Sequence, residues 1–156
     1  MAPVLICFDG SEDAAAAIAA AGEVLAPRPA VVLTVWERAA SWAHYDPATA
    51  LSAPLSRLAS NELELNEIAC DVARERLEHG RELASQAGFQ AEARLGEGKP
   101  WRVISEVARE LDAQLIVIGA RGLGRVESML LGSVSSAVVH HAKRPVLVVP
   151  HEPTGR

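Results

Sequence analysis

Short apolar runs alternate along the chain with longer segments whose apolar positions recur every three or four residues. An apolar run of about four to eight residues between turn residues predicts a buried strand, and the longer helical spacing predicts an amphipathic helix. We therefore expect strands over residues 4–8, 31–36, 89–96, 115–118 and 146–149, and helices over residues 12–25, 61–87, 100–111 and 133–142.

The order of these elements determines the fold class. Strands that alternate with helices predict parallel βαβ units with right-handed crossovers, and hence a three-layer α/β/α sandwich around a five-stranded sheet. We expect residues 1–156 to form one domain with a long irregular loop at about 37–60. Ligands bind such sheets at the carboxyl ends of the strands, where the strand order reverses. The loops after Phe8, Val35 and Ile118 are therefore the candidates for a binding site.

The longest predicted helix, over residues 61–87, has apolar residues at helical spacing and charged residues between them. Such a pattern indicates one face on the core and one face in solvent. The positions expected to face the core are Leu65, Ile68, Ala69, Val72, Ala73, Leu77, Leu83, Ala84 and Ala87.

Charge and targeting signals narrow the function classes. The chain carries a formal charge of −5 with scattered Lys and Arg residues, so a nucleic-acid partner is not expected. The start "MAPVLICFDG" lacks a basic segment, and prolines and charges interrupt the most apolar window, so we expect neither a signal peptide nor a membrane span. Cys7 and Cys70 lie in apolar segments without metal-type spacing. Buried, unreactive thiols in a reducing cytoplasm are the expectation.

The segment "GARGLGRVESMLLGS" is the main candidate for ligand chemistry. Gly119 and Gly122 let a backbone approach a ligand closely, and Gly132 and Ser133 open a helix whose first amides lack internal partners. We expect positive φ angles at Gly122 and Gly132. The spacing matches neither GxxxxGK[ST] nor GxGxxG, and three glycines in a loop are also typical of turns. Residue types alone therefore leave a phosphate cradle and ordinary turn chemistry both open.

A family resemblance favours the phosphate cradle. The segment "GARGLGRVESMLLGSVSSAVVHHAKRPVLVVP" resembles the C-terminal signature of the universal stress protein family, in the nucleotide-binding branch with a G-x2-G-x9-G-[S/T] pattern. "VLICFDGSEDA" is similar to the opening strand of that family, and "DAQLIVIGARG" to its fourth strand. The resemblance implies a strand order of 3-2-1-4-5 and ATP, with Mg²⁺, held across the ends of strands one, two and four.

The same resemblance implies roles for individual residues. Asp9 matches an acidic position that contacts the ribose or a phosphate-bound Mg²⁺, although Asp-Gly is also a common turn pair. Val35 matches the position that packs on adenine and bonds it through the backbone. Arg121 follows Ala120, where the family often has a hydroxyl residue; it either contacts the phosphates or is solvated. The residues that match the ribose and phosphate cradle are Ile118, Gly119, Gly122, Gly132, Ser133, Val134 and Ser135.

These observations favour a cytoplasmic ATP-binding regulator in a stress response, with no catalytic residue and no metal ligand assigned beyond Asp9. A slow ATPase or a transferase that uses the same pocket is the alternative, but the chain lacks the HxGH and SGGxDS motifs of enzymes with related folds. The apolar strand 146–149 lies at a sheet edge in the implied order. An unpaired edge favours pairing with a second copy, which predicts a homodimer.

Overall fold

Four apolar residues, Val4–Cys7, form the central strand β1 of a parallel sheet and are all buried. This computed structural model describes residues 1–38, 55–123 and 131–150, and of residues 55–61 it describes the backbone only. The remaining strands are β2 (Pro29–Trp36), β3 (Gln90–Glu97), β4 (Leu115–Gly119) and β5 (Val146–Val149).

The sheet order is β3-β2-β1-β4-β5, and every neighbouring pair is parallel. The expected five-stranded parallel sheet and its 3-2-1-4-5 order are confirmed. The order reverses beside β1, since β2 follows it on one side and β4 lies on the other. A crevice at the carboxyl ends of β1 and β4 follows from that reversal.

Two helical layers cover the sheet. The helices of the described ranges are α1 (Glu12–Leu25), α2 (Leu55–Gln86), α3 (Pro100–Glu110) and α4 (Ser133–His141). Alternate residues of the strands face opposite layers, so Val4 and Ile6 pack with α1 and α2, whereas Leu5 and Cys7 pack with α3 and α4. The predicted three-layer sandwich is therefore confirmed.

Helix α1 begins as its sequence predicts. The Ser11 hydroxyl caps the helix and accepts a hydrogen bond from the Ala14 amide at 3.2 Å. Glu12 and Asp13 lie in the first turn, where negative charge is favoured by the helix dipole. The start of α1 follows β1 directly, so this turn borders the crevice.

Helix α2 corrects the prediction made for residues 61–87. It begins at Leu55, and in its first half Leu65 and Ile68 are 52% and 60% exposed instead of facing the core. The reason is that α2 is longer than the strands it covers. A helix of 32 residues spans about 48 Å, whereas an eight-residue strand spans about 26 Å. Sheet cover is limited to part of the helix, where Ala73, Leu77 and Ala84 are buried.

The irregular loop expected at about 37–60 overlaps the first residues of α2. Residues 55–60, placed in the irregular loop by the sequence, belong to α2, and the rest of that loop after residue 38 lies outside the described residues. In the three described ranges no helix is both long and apolar enough to cross a membrane.

Candidate functional site

A cavity of about 290 Å³ opens at the carboxyl ends of β1, β2 and β4. Its lining includes every residue that the family resemblance implied for the nucleotide site. The described residues that line it are Cys7, Phe8, Asp9, Ala14, Leu33, Val35, Pro100, Ile104, Ile118, Gly119, Arg121, Gly122, Leu123, Gly132, Ser133, Val134 and Ser135.

The end of the cavity beside β2 is apolar, and the backbone of β2 continues there past the end of β1. Strand β1 ends where the Phe8 amide donates to the Leu33 carbonyl at 2.9 Å. Backbone groups along a strand alternate in direction, so Val35 directs its N–H and C=O to the same side as Leu33, past the end of β1. Leu33, Ile104 and Ile118 supply apolar walls beside it. A flat apolar ring with donor and acceptor edges matches this end of the cavity.

Asp9 follows β1 and faces the middle of the cavity. One carboxylate oxygen, Oδ1, accepts a hydrogen bond from the Ser11 amide at 2.9 Å, so Asp9 does shape the turn that Asp-Gly predicts. The other oxygen, Oδ2, lies 2.7 Å from the point where a Cβ on Gly122 would stand. Asp9 therefore forms the expected turn with one oxygen and places the other beside Gly122 at the cavity.

The glycines of the "GARGLG" segment serve different purposes. A Cβ on Gly119 would lie 2.7 to 2.9 Å from backbone atoms of Asp13 and Ala14, so glycine at 119 allows α1 to pack against the end of β4. The expected positive φ angles are wrong: Gly132 has a φ of −71°, and Gly122 also lies outside the left-handed region. At Gly122 the close contact is with the Asp9 carboxylate instead. Gly119 and Gly122 thus provide space rather than unusual backbone geometry.

Helix α4 presents its N-terminus to the cavity. Gly132 caps the helix without a side-chain bond among the described residues, and its amide donates to the Ala120 carbonyl at 2.7 Å. The amides of the first turn have no intrahelical acceptors and carry the positive end of the helix dipole. Ser133 is exposed at this turn, whereas Ser135 is buried and donates to the Ala120 carbonyl at 2.7 Å. Ser135 therefore fastens α4 to the loop after β4.

Asp13 supports the site although the sequence analysis did not assign it there, and Leu33 and Ile104 line the cavity without having been predicted. Asp13 is 1% exposed, and its Oδ2 accepts from the backbone amide of Arg121 at 3.1 Å and from Nε at 3.3 Å. One sequence signal pointed to its burial. Asp13, Ala17 and Ala21 are spaced four residues apart, so they lie on one face of α1, and both alanines are buried. Arg121 is therefore neither simply solvated nor free to turn wholly toward a ligand.

The two cysteines differ in environment. Cys7 is buried beside the cavity, and burial, with a smaller contribution from the charge of Asp9, raises the pKa of its thiol from 9.0 to about 12. Since the unfolded chain releases this proton at lower pH, Cys7 lowers the stability of the fold as pH rises from about 9 to 12. Cys70 is only half-buried, so the expectation that both thiols are buried is wrong for Cys70.

Known proteins match both the sequence and the fold. A family model described as "Universal stress protein family" matches residues 1–150. Universal stress protein Sll1388 of Synechocystis is 40% identical over 79 residues, 51% of this chain and 51% of that protein, so the match spans about half the length of each. The solved structure of hypothetical protein MJ0577 has a TM-score of 0.77 at 22% identity over 97% of both chains. A universal stress protein in complex with cAMP has a TM-score of 0.63 at 27% identity, over 94% of this chain and 95% of that one.

The glycine contacts predict a difference between two alanine substitutions. Gly119→Ala places a methyl group against the backbone of α1 and should cost about 1 to 3 kcal/mol of unfolding free energy. Gly132→Ala meets only ordinary contacts, at 3.4 Å or more, and should cost less than about 1 kcal/mol. Urea denaturation of both variants measures the difference. Equal losses would contradict the assignment of Gly119 to helix packing.

The cysteine environments predict unequal thiol reactivity. In the folded protein, Cys70 should react with a disulfide reagent well before Cys7, because attack requires an accessible thiolate. Labelling followed by peptide mass analysis measures each site, with Cys70→Ala isolating the signal of Cys7. Equal rates at the two thiols in native buffer would show that the cavity wall around Cys7 is open.

Proposed function

Because the chain belongs to the universal stress protein family, we propose that it binds an adenine nucleotide, ATP with Mg²⁺, in the cavity between β1, β2 and β4. The bound nucleotide would act as the signal of a cytoplasmic regulator in a stress response. The observation that carries the proposal is the two-ended cavity, with apolar walls and the β2 backbone beyond the end of β1 at Val35, and a helix N-terminus at Gly132.

The β2 end suits adenine. The base would lie between the apolar side chains of Leu33, Ile104 and Ile118, and the backbone of Val35 would bond its edge. Donors and acceptors that are fixed in a sheet match one base edge and mismatch another. The cAMP complex of a 27% identical neighbour supports an adenine ligand.

The α4 end suits phosphates. Amides of the first turn of α4 would donate to phosphate oxygens, and the space at Gly122 lets the backbone approach them. Asp9 is the one carboxylate among the described residues that line the cavity. Its Oδ2 faces Gly122 and would bond the ribose or a Mg²⁺ ion that accompanies the phosphates.

The charge inventory favours a regulator over an enzyme. General-base catalysis needs a side chain that is free to take a proton from the attacking group. One oxygen of Asp9 accepts from the Ser11 amide and the other is proposed to bond the ribose or Mg²⁺, and the Cys7 thiol stays protonated at neutral pH because burial raises its pKa to about 12. A slow ATPase remains the alternative activity of the same site.

Substitution of Gly122 tests the nucleotide site. In Gly122→Val the side chain would displace the Asp9 carboxylate and enter the cavity, so ATP affinity should fall by about 100-fold or more, which is roughly 3 kcal/mol. Folding should suffer less, because the displaced atoms belong to one flexible side chain. Calorimetry with Mg-ATP measures the affinity, and GTP should bind more weakly than ATP to the wild-type protein.

Ala93→Val is the matched control for that experiment. Ala93 is exposed on the edge strand β3, away from the cavity, and a β-branched residue is well accommodated in a strand. This variant should bind ATP like the wild type. Folded Gly122→Val protein that also binds ATP like the wild type, or equal affinities for ATP and GTP, would reject the proposed site.

The sheet edge at β5 supports a homodimer. All four residues of β5 are half-buried, and among the described residues the strand pairs only with β4. Pairing of β5 with the same strand of a second copy would satisfy its outward-facing backbone groups. Val148→Pro removes a backbone donor, so we expect monomers or insoluble protein. Analytical ultracentrifugation measures the state, and a monomeric wild type at micromolar concentration would refute the dimer.

A further inference from the structure

The Asp13 carboxylate joins the first turn of α1 to the loop that follows β4. Its Oδ2 accepts two hydrogen bonds from Arg121, from the backbone amide at 3.1 Å and from Nε at 3.3 Å. The carboxylate is buried, and it lies at the N-terminus of α1, where the helix dipole stabilises negative charge. A buried carboxylate with three sources of stabilisation is held firmly in place.

Every residue of the loop before Gly122 is held by a neighbouring element. Gly119 packs against the backbone of Asp13, and the Ala120 amide donates to the Val149 carbonyl at 2.9 Å. The Ala120 carbonyl in turn accepts from Gly132 and Ser135 of α4. At Arg121 the Asp13 carboxylate bonds the backbone directly. Asp13 therefore acts on the residue that precedes Gly122 in the proposed cradle.

Charge adds a second effect at the same place. Asp9 lines the cavity, and Asp13 lies behind the loop, so two carboxylates stand near the proposed phosphate position. Like charge disfavours a phosphate anion. The guanidinium of Arg121 offsets the negative charge of Asp13, since the two groups form an ion pair with Nε and Oδ2 3.3 Å apart.

We propose that Asp13 is a positioning residue for the phosphate-bearing part of the nucleotide, acting through Arg121 on the loop at Gly122. The proposal rests on the proposed function, and it adds a residue that does not itself line the cavity. It assigns Asp13 no role at the adenine end, because Val35 and its apolar neighbours belong to other elements. Loss of Asp13 should therefore weaken binding of phosphorylated ligands and leave adenosine unaffected.

Calorimetry with ATP and with adenosine separates these effects. Asp13→Ala should weaken ATP about tenfold, the effect of losing one hydrogen bond to a charged group. Asp13→Asn keeps an oxygen acceptor for the Arg121 amide and should recover part of that loss. Adenosine affinity should not change in either variant. Glu23→Gln is the control, because it removes one exposed carboxylate from the same helix.

Equal weakening of ATP and adenosine would overturn the proposal, since it would show only a general loss of structure. Unchanged ATP affinity in Asp13→Ala would overturn it as well. If Asp13→Ala fails to fold, Asp13→Asn provides the same comparison between the two ligands. A wild-type protein that binds neither ligand would instead refute the proposed function.

Amide hydrogen exchange provides a readout that needs no nucleotide. In the wild-type protein the Arg121 amide should be protected, because it donates to a buried carboxylate. Asp13→Ala should raise the exchange rate at Arg121 and leave the β1 amides protected. Unchanged protection at Arg121 would overturn the positioning role of Asp13 whatever the ligand affinities are.

Discussion

The cavity depends on a difference in length between two paired strands. Strand β1 has four residues and β2 has eight, so the last residues of β2 extend beyond their neighbour. The chain leaves β1 through Phe8, whose carbonyl accepts from the Thr34 hydroxyl at 2.8 Å. The Thr34 hydroxyl bond and the bond from the Phe8 amide to the Leu33 carbonyl join the end of β1 to β2 beneath the cavity. Above them, Val35 lies beyond the end of β1 and lines the cavity.

Beside the cavity, contacts of different kinds fix the loop after β4. A close backbone approach holds Gly119, main-chain bonds to β5 and α4 hold Ala120, and a buried carboxylate holds Arg121. No one type of interaction would specify all three positions. Because the contacts come from separate elements, the loop geometry depends on the correct assembly of α1, α4 and β5 around β4.

Much of the fold and the residues of the cavity followed from the sequence. Buried strands of a parallel sheet are apolar on both faces, so their runs are conspicuous. The family resemblance pointed to part of the lining, including Asp9, Val35 and Gly122, but not to Leu33 or Ile104. The length of α2 and the exposure of Leu65 were not predictable, since helical periodicity records a face without showing what covers it. Asp13 was missed because its partner, Arg121, lies 108 residues away in the chain. The expected φ angle at Gly122 was wrong because glycine also serves where space is short. At Gly132 the backbone is extended, and a Cβ would meet only ordinary contacts.

Phe8 also belongs to a second contact, on the face of the sheet covered by α2. Its ring carbon Cδ1 lies 2.6 Å from the point where a Cβ on Gly80 would stand, and its ring centroid is 5.8 Å from that of His79. The same phenylalanine borders the cavity. A side chain at position 80 would therefore displace the ring of Phe8, so the close fit of α2 on the sheet also affects one wall of the cavity.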